Sequence, residues 1–116
     1  MNKKYILFVF LFFVCLSSIS VQAHPKSARF IEGKGDMVEG LEVTFENPNF
    51  RVCFSSGNGE IMSWTIPDGS EDITEEEWCY ILIDCAEKIF GKGTERYEVN
   101  KEKFTNMIEE MKNQNN

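Results

Sequence analysis

Between residues 41 and 66 apolar and polar side chains alternate with period two, broken twice by turn residues. Leu41, Val43 and Phe45 interleave with Glu42, Thr44 and Glu46, and Asn47-Pro48-Asn49 interrupts the run. Phe50, Val52 and Phe54 then interleave with Arg51, Cys53 and Ser55, and Gly57-Asn58-Gly59 interrupts again before Met62, Trp64 and Ile66 resume the alternation. Period two with turn chemistry between the runs predicts three half-buried antiparallel strands. The apolar positions also fix a register. Pairing Phe45 with Phe50 sets Val43 opposite Val52 and Leu41 opposite Phe54; pairing Phe54 with Met62 sets Val52 opposite Trp64 and Phe50 opposite Ile66. All nine apolar residues then share one face, and a slip by one residue would destroy the match. This register asks for a three-residue loop at Gly57-Asn58-Gly59, where glycine supplies a positive φ. The other face carries Glu42, Thr44, Arg51, Cys53, Ser63 and Thr65.

After the turn at Pro67-Asp68-Gly69 the period changes. Thr74 followed three residues later by Glu77 is a capping box, and Trp78, Ile81, Leu82, Cys85 and Ile89 recur at helical spacing, with Asp84, Glu87 and Lys88 opposite. The expected helix runs from Glu75 to Phe90 and stops at Gly91. Thr94 to Val99 reads as a last short strand through Tyr97 and Val99. Asn100 then caps a second helix striped by Phe104, Met107, Ile108 and Met111. Upstream, Ala28 to Glu32 reads as a short strand between a loose arm, His24 to Lys26, and a turn at Gly33 to Asp36. The expected fold class is α+β: a small antiparallel sheet of three to five strands, packed on one face by two C-terminal helices.

The N-terminus changes the setting. Lys3 and Lys4 precede an unbroken apolar run from Tyr5 to Leu16, then Ser17, Ser18 and Ser20, then the small-residue ending Val21-Gln22-Ala23. Charge, length and ending are those of a secretory signal peptide. The expected organisation is a signal peptide over 1–23, a single domain over 24–112 and a frayed tail over 113–116, with the product secreted or periplasmic. The signal holds two of the 12 basic residues and none of the 19 acidic ones, leaving ten against 19, a net charge of −9. That sign argues against nucleic acid as a partner. With no polybasic patch and no second apolar run, no membrane partner is expected once the signal is removed. An acidic surface suits a basic protein partner, whose encounter it speeds.

The densest chemical feature is the segment Asp68 to Glu77, six acids in ten residues without a base. Acids in a first helical turn complement the helix dipole; Asp68, Glu71 and Asp72, ahead of the helix, are candidates for contact with a basic partner. Calcium does not fit. Asp68, Ser70 and Asp72 start an EF-hand spacing, but its sixth position is Ile73 and its twelfth Cys79. With no Cys-x2-Cys and a single histidine, His24, zinc is not expected either. No catalytic residue and no cofactor is assigned. A thiol nucleophile needs a base, and no histidine lies near a cysteine in sequence; a carboxylate pair needs a cleft that one small domain has little chain to build. Asn58 and Glu60 at the hairpin tip, and Tyr80 on the polar side of its helix, complete the candidate partner-binding set. Export makes Cys53, Cys79 and Cys85 disulfide candidates. Cys79 and Cys85 lie six apart on one helix, too far for each other. A bridge therefore uses Cys53, either within the chain or, since Cys53 falls on the face away from the core, across a homodimer.

In general build the chain resembles small exported proteins that protect bacteria from cell-wall hydrolases, the periplasmic lysozyme inhibitors and the immunity partners of type VI secretion effectors. These are short, single-domain and without catalytic groups. The resemblance implies a non-enzymatic binding protein that occludes a hydrolase or toxin with exposed acidic and hairpin loops. The alternatives are a small secreted enzyme with a carboxylate or thiol site, and a structural surface module. Intact-mass measurement of exported material tests the first step. The expected species starts at His24; a species keeping Met1 to Ala23 and extracted only by detergent would mean an anchor.

Overall fold

The computed structural model describes residues 22–35 and 39–114. Their elements run β1 (His24–Ile31), β2 (Gly40–Asn47), β3 (Phe50–Ser55), β4 (Ile61–Thr65), α1 (Glu75–Phe90) and α2 (Glu95–Gln114). The strands form one antiparallel sheet in the order β1-β2-β3-β4, and both helices cover the same face, an α+β arrangement. The expected signal segment as far as Val21, and Asp36, lie outside the described residues, as do Asn115 and Asn116.

Strands β2 and β3 pair as the alternation requires: Leu41 with Phe54, Val43 with Val52, Phe45 with Phe50. Val43, Phe45, Val52 and Phe54 are buried, and the rings of Phe45 and Phe50 stack at 5.1 Å. Helix α1 also forms as its sequence signals indicate. Thr74 caps it, its hydroxyl accepting from the Glu77 amide while the Glu77 carboxylate accepts from the Thr74 amide, and Gly91 ends it at φ 92°. Trp78 meets Phe50 edge-on at 5.0 Å, and Phe90 meets Phe54 at 5.0 Å. Gly91 to Thr94 reverses the chain so that α2 returns along α1; Lys112 near the end of α2 lies 3.8 Å from Glu76 at the start of α1.

Four expectations need correction. First, His24 to Lys26 is not a loose arm. It begins β1, which pairs with β2 from His24–Asn47 to Ile31–Gly40 with irregularities near Pro25. The preceding Ala23 is fully buried, and its amide donates to Asp84 at 2.8 Å, so the expected processing bond sits where the chain enters the sheet. Second, Thr94 to Val99 is not a strand. Thr94 caps α2, its hydroxyl accepting from the Tyr97 amide and its carbonyl from the Glu98 amide.

Third, Asn100 does not cap a helix. It lies inside α2 and is fully buried. Its side-chain oxygen accepts from the Ile61 amide at 2.7 Å, and its nitrogen donates to the carbonyls of Gly59 at 3.0 Å and Arg96 at 2.8 Å. One turn on, the Lys103 ammonium donates to the Ile61 carbonyl at 2.8 Å. Fourth, the β3–β4 register slips at that point. Val52 faces Trp64 as expected, but Phe54 faces Ile61, not Met62, across a bulge. Both backbone groups of Ile61 are taken by side chains of α2, so Ile61 turns into the core and Met62 becomes the extra residue. Ile61 is buried, Met62 is 46% exposed, and Ile66, past the end of β4, is 50% exposed. The nine-residue face therefore loses Met62 and Ile66 and gains Ile61. The connection from Ser55 to Ile61 spans five residues rather than three, with Gly59 at φ 75° beneath the Arg96 side chain.

Asn100→Ala would leave the Ile61 amide and Gly59 carbonyl buried without partners, at about 1 to 3 kcal/mol each. The expected loss is about 2 to 4 kcal/mol by urea unfolding. Trp64 is half-buried against Phe104, at 5.8 Å between centroids, so Trp64→Ala should cost about 2 to 3 kcal/mol, less than a fully buried aromatic.

Candidate binding surfaces

With both helices on one side, no other described residue covers the opposite face of the sheet. Registered side by side, its residues form two rows: Ser27, Thr44, Arg51 and Thr65, then Arg29, Glu42, Cys53 and Ser63. A concavity of about 920 Å³ lies over the first row, with Ile66 and Pro67 at its rim. Arg29 donates through Nε to Glu42 at 2.6 Å, while Arg51 is exposed and, among the described residues, makes no ion pair.

The acidic loop borders this concavity at the end of β4. Its bonds are local: the Gly69 amide donates to the Glu71 carboxylate at 3.3 Å, and the Ile73 amide to the Ser70 carbonyl at 3.1 Å. Ile73 packs on the core and anchors the loop from below. Asp68, Glu71 and Asp72 are exposed, and no described cation lies within ion-pair distance of them. A second hollow, about 320 Å³, runs from Ile66 and Pro67 past Asp68 and Glu71 to Trp78. Tyr80, 53% exposed, stands one helical turn beyond Glu76 and Glu77, so an aromatic ring follows the acids along α1.

The hairpin tip is elsewhere. It lies at the opposite end of β4, a strand of five residues and hence roughly 17 Å long. Asn58 folds inward, its side-chain oxygen accepting from the Ser55 hydroxyl and the Glu60 amide, each at 3.0 Å. Glu60 pairs with Lys103 at 3.1 Å. The fold thus puts Asp68 and Glu71 in one hollow with Trp78, leaves Tyr80 outside it on α1, and sets Asn58 and Glu60 apart at the other end of β4. The open-face arginine Arg29 is absent from the sequence-derived candidates although it falls inside the expected strand Ala28 to Glu32; the pairing of β1 with β2 is what sets it beside Glu42, and the alternation of Ser27 and Arg29 with Ala28 and Phe30 is the available signal.

The cysteines divide between the two sides of the sheet. Cys53 is half-buried on the open face; Cys79 and Cys85 are buried on α1, and all three are free thiols. A bridge from Cys53 to either helix cysteine would have to pass through the sheet. Burial pushes the Cys79 thiol pKa up, and Glu75 and Glu76 add to it; burial raises that of Cys85 further, with Asp84 contributing. Among the described residues no group of three or more His, Cys, Asp or Glu side chains is arranged to hold a metal, and no helix is long and apolar enough to cross a membrane. Comparison with protein-family models, with curated proteins and with solved structures returned no match.

These environments set an order of thiol reactivity, since the thiolate is the reacting species. In the chain from His24 to Asn116, a maleimide at neutral pH should label Cys53 while the protein is folded and Cys79 and Cys85 only in denaturant. Peptide mapping checks this; labelling of Cys85 in the folded state would contradict its burial.

Proposed function

We propose that this is an exported, non-enzymatic binding protein of the inhibitor or immunity kind, which engages a basic hydrolase or toxin through its acidic loop. The observation that carries the reading is the exposed trio Asp68, Glu71 and Asp72, free of compensating cations among the described residues and followed by Tyr80. The loop rests on a firm base, with Ile73 on the core below it and the capping box of α1 behind it. Carboxylates held this way meet arginine or lysine in a cleft with charge-assisted hydrogen bonds, and Tyr80 adds a rigid, amphipathic contact. The hairpin tip, whose polar groups are bonded internally, contributes at most a second point of contact.

The test uses a panel of cationic lysozymes. The protein should slow their lysis of bacterial cell walls, and raised salt should relieve the inhibition. Replacing Asp68, Glu71 and Asp72 with Asn, Gln and Asn leaves Thr74 and Glu77 in place, so the melting temperature should hardly move, because exposed charges contribute little to stability. Association measured by surface plasmon resonance at low salt should slow by about tenfold or more. An unchanged association rate in the triple variant would remove the acidic loop from the mechanism, and absence of inhibition across the panel would count against the lysozyme branch of the reading.

A further inference from the structure

The two surfaces at the end of β4 are opposite in charge and adjacent. Arg51 stands in the open-face concavity among the hydroxyl-bearing Ser27, Thr44 and Thr65. Arg29, two strands away, commits its Nε to Glu42 and keeps its terminal nitrogens. A guanidinium flanked by hydroxyls is a receptor for carboxylates, which it binds through paired hydrogen bonds. The nearest dense source of carboxylates is the loop Asp68 to Asp72, which begins where the concavity ends: Ile66 and Pro67 line both hollows. Within one chain the loop's acids make no ion pair with Arg51 or Arg29.

We infer that this end of the molecule is a self-association surface, on which a second copy of the chain places its acidic loop over Arg51 and receives the first copy's loop in return. Two neighbouring, complementary patches satisfy each other in both directions about a two-fold axis, as an isologous interface requires. The axis passes near Ile66 and Pro67, so that the half-exposed Ile66 gives an apolar centre inside a charged rim. The net charge of −9 on the chain from His24 opposes association, so the dimer is weak and populated at high concentration. It goes beyond the partner reading: a basic partner and a second copy compete for one loop.

Salt screens both the local attraction and the global repulsion, so charge exchange is the cleaner test. By analytical ultracentrifugation from micromolar to millimolar protein, the weight-average mass should rise from monomer towards dimer. Arg51→Glu alone, and the loop variant Asp68→Lys, Glu71→Lys, Asp72→Lys alone, should each remain monomeric. Mixed one to one, they should form a heterodimer, because Glu at position 51 of one chain then meets the lysine loop of the other, while the retained Arg51 meets the retained acidic loop. Recovery on mixing also shows that both variants are folded. A wild-type chain that stays monomeric at millimolar concentration, single variants that associate like wild type, or a mixture that fails to associate would each overturn the assignment.

Discussion

The buried side chain of Asn100 is the tie on which the tertiary arrangement rests. Helix α2 shares no covalent neighbour with the β3–β4 hairpin, yet Asn100 satisfies the Ile61 amide and the Gly59 carbonyl while bonding back to its own helix at Arg96. A carboxamide suits this place because it donates and accepts in one plane without carrying charge into the core. Lys103 completes the attachment at the Ile61 carbonyl, its ammonium also meeting Glu60 near the surface. Arg96 adds to it by lying across Gly59 and over the Phe90 ring, 5.6 Å from its centroid. A side chain at position 59 would strike Arg96, so the glycine serves the close approach as well as the turn.

That attachment also explains the limits of the sequence reading. The β2–β3 pairing and helix α1 are legible because each rests on local rules: alternation, a proline turn, a capping box, a glycine stop. The bulge at Met62 was not legible, because the hydrogen bonds that displace it come from residues about 40 positions away. Helix α2 misled for a related reason. Tyr97, Phe104 and Ile108 belong to one helical stripe, but the position between Tyr97 and Phe104 holds Asn100, which looks like a surface or cap residue. With the stripe interrupted, the alternation of Tyr97 and Val99 reads as a strand, and Thr94, the actual cap, is lost inside it. A polar residue chosen to satisfy buried backbone thus erased the periodicity that would have revealed its helix. Of the candidate site, the acidic loop is visible as composition and the polar face of β2 to β4 as alternation; the addition of Ser27 and Arg29 to that face is not, since it depends on the pairing of β1 with β2.

The two helices leave β1 largely exposed. Ala28 and Phe30 pair with Val43 and Leu41 and so belong to the helix side by register, yet Phe30 is 62% exposed. β1 is an edge, and it bears the features that discourage edge-to-edge pairing: Pro25, Lys26, Arg29 and irregular register near its start. Its contribution is to widen the open face and to bring Arg29 beside Glu42. That pairing keeps Glu42 from opposing an incoming carboxylate and leaves Arg51 as the uncommitted charge.

Strand β4 therefore has two unlike ends. At Glu60 and Ile61 it is fastened by Asn100 and Lys103, and the polar groups of the hairpin tip are consumed in holding it. At Ile66 it leaves the sheet with its side chain half in water, and the residues that follow bond only among themselves until Ile73 and Thr74 restore contact with the core and the helix. Local opening is least costly where backbone bonds are few and exposed and apolar burial is small. Segments of that kind adapt to a partner, while a rigid base keeps the ordering cost of binding low. Asp68, Glu71 and Asp72 sit in such a segment between two fixed points, and Arg51 lies on the sheet beside it. Exposed carboxylates at this end of β4 and structural hydrogen bonds at the other follow from one asymmetry: α2 reaches the hairpin end through Asn100 and Lys103 and, among the described residues, has no corresponding side chain hydrogen-bonded to the far end.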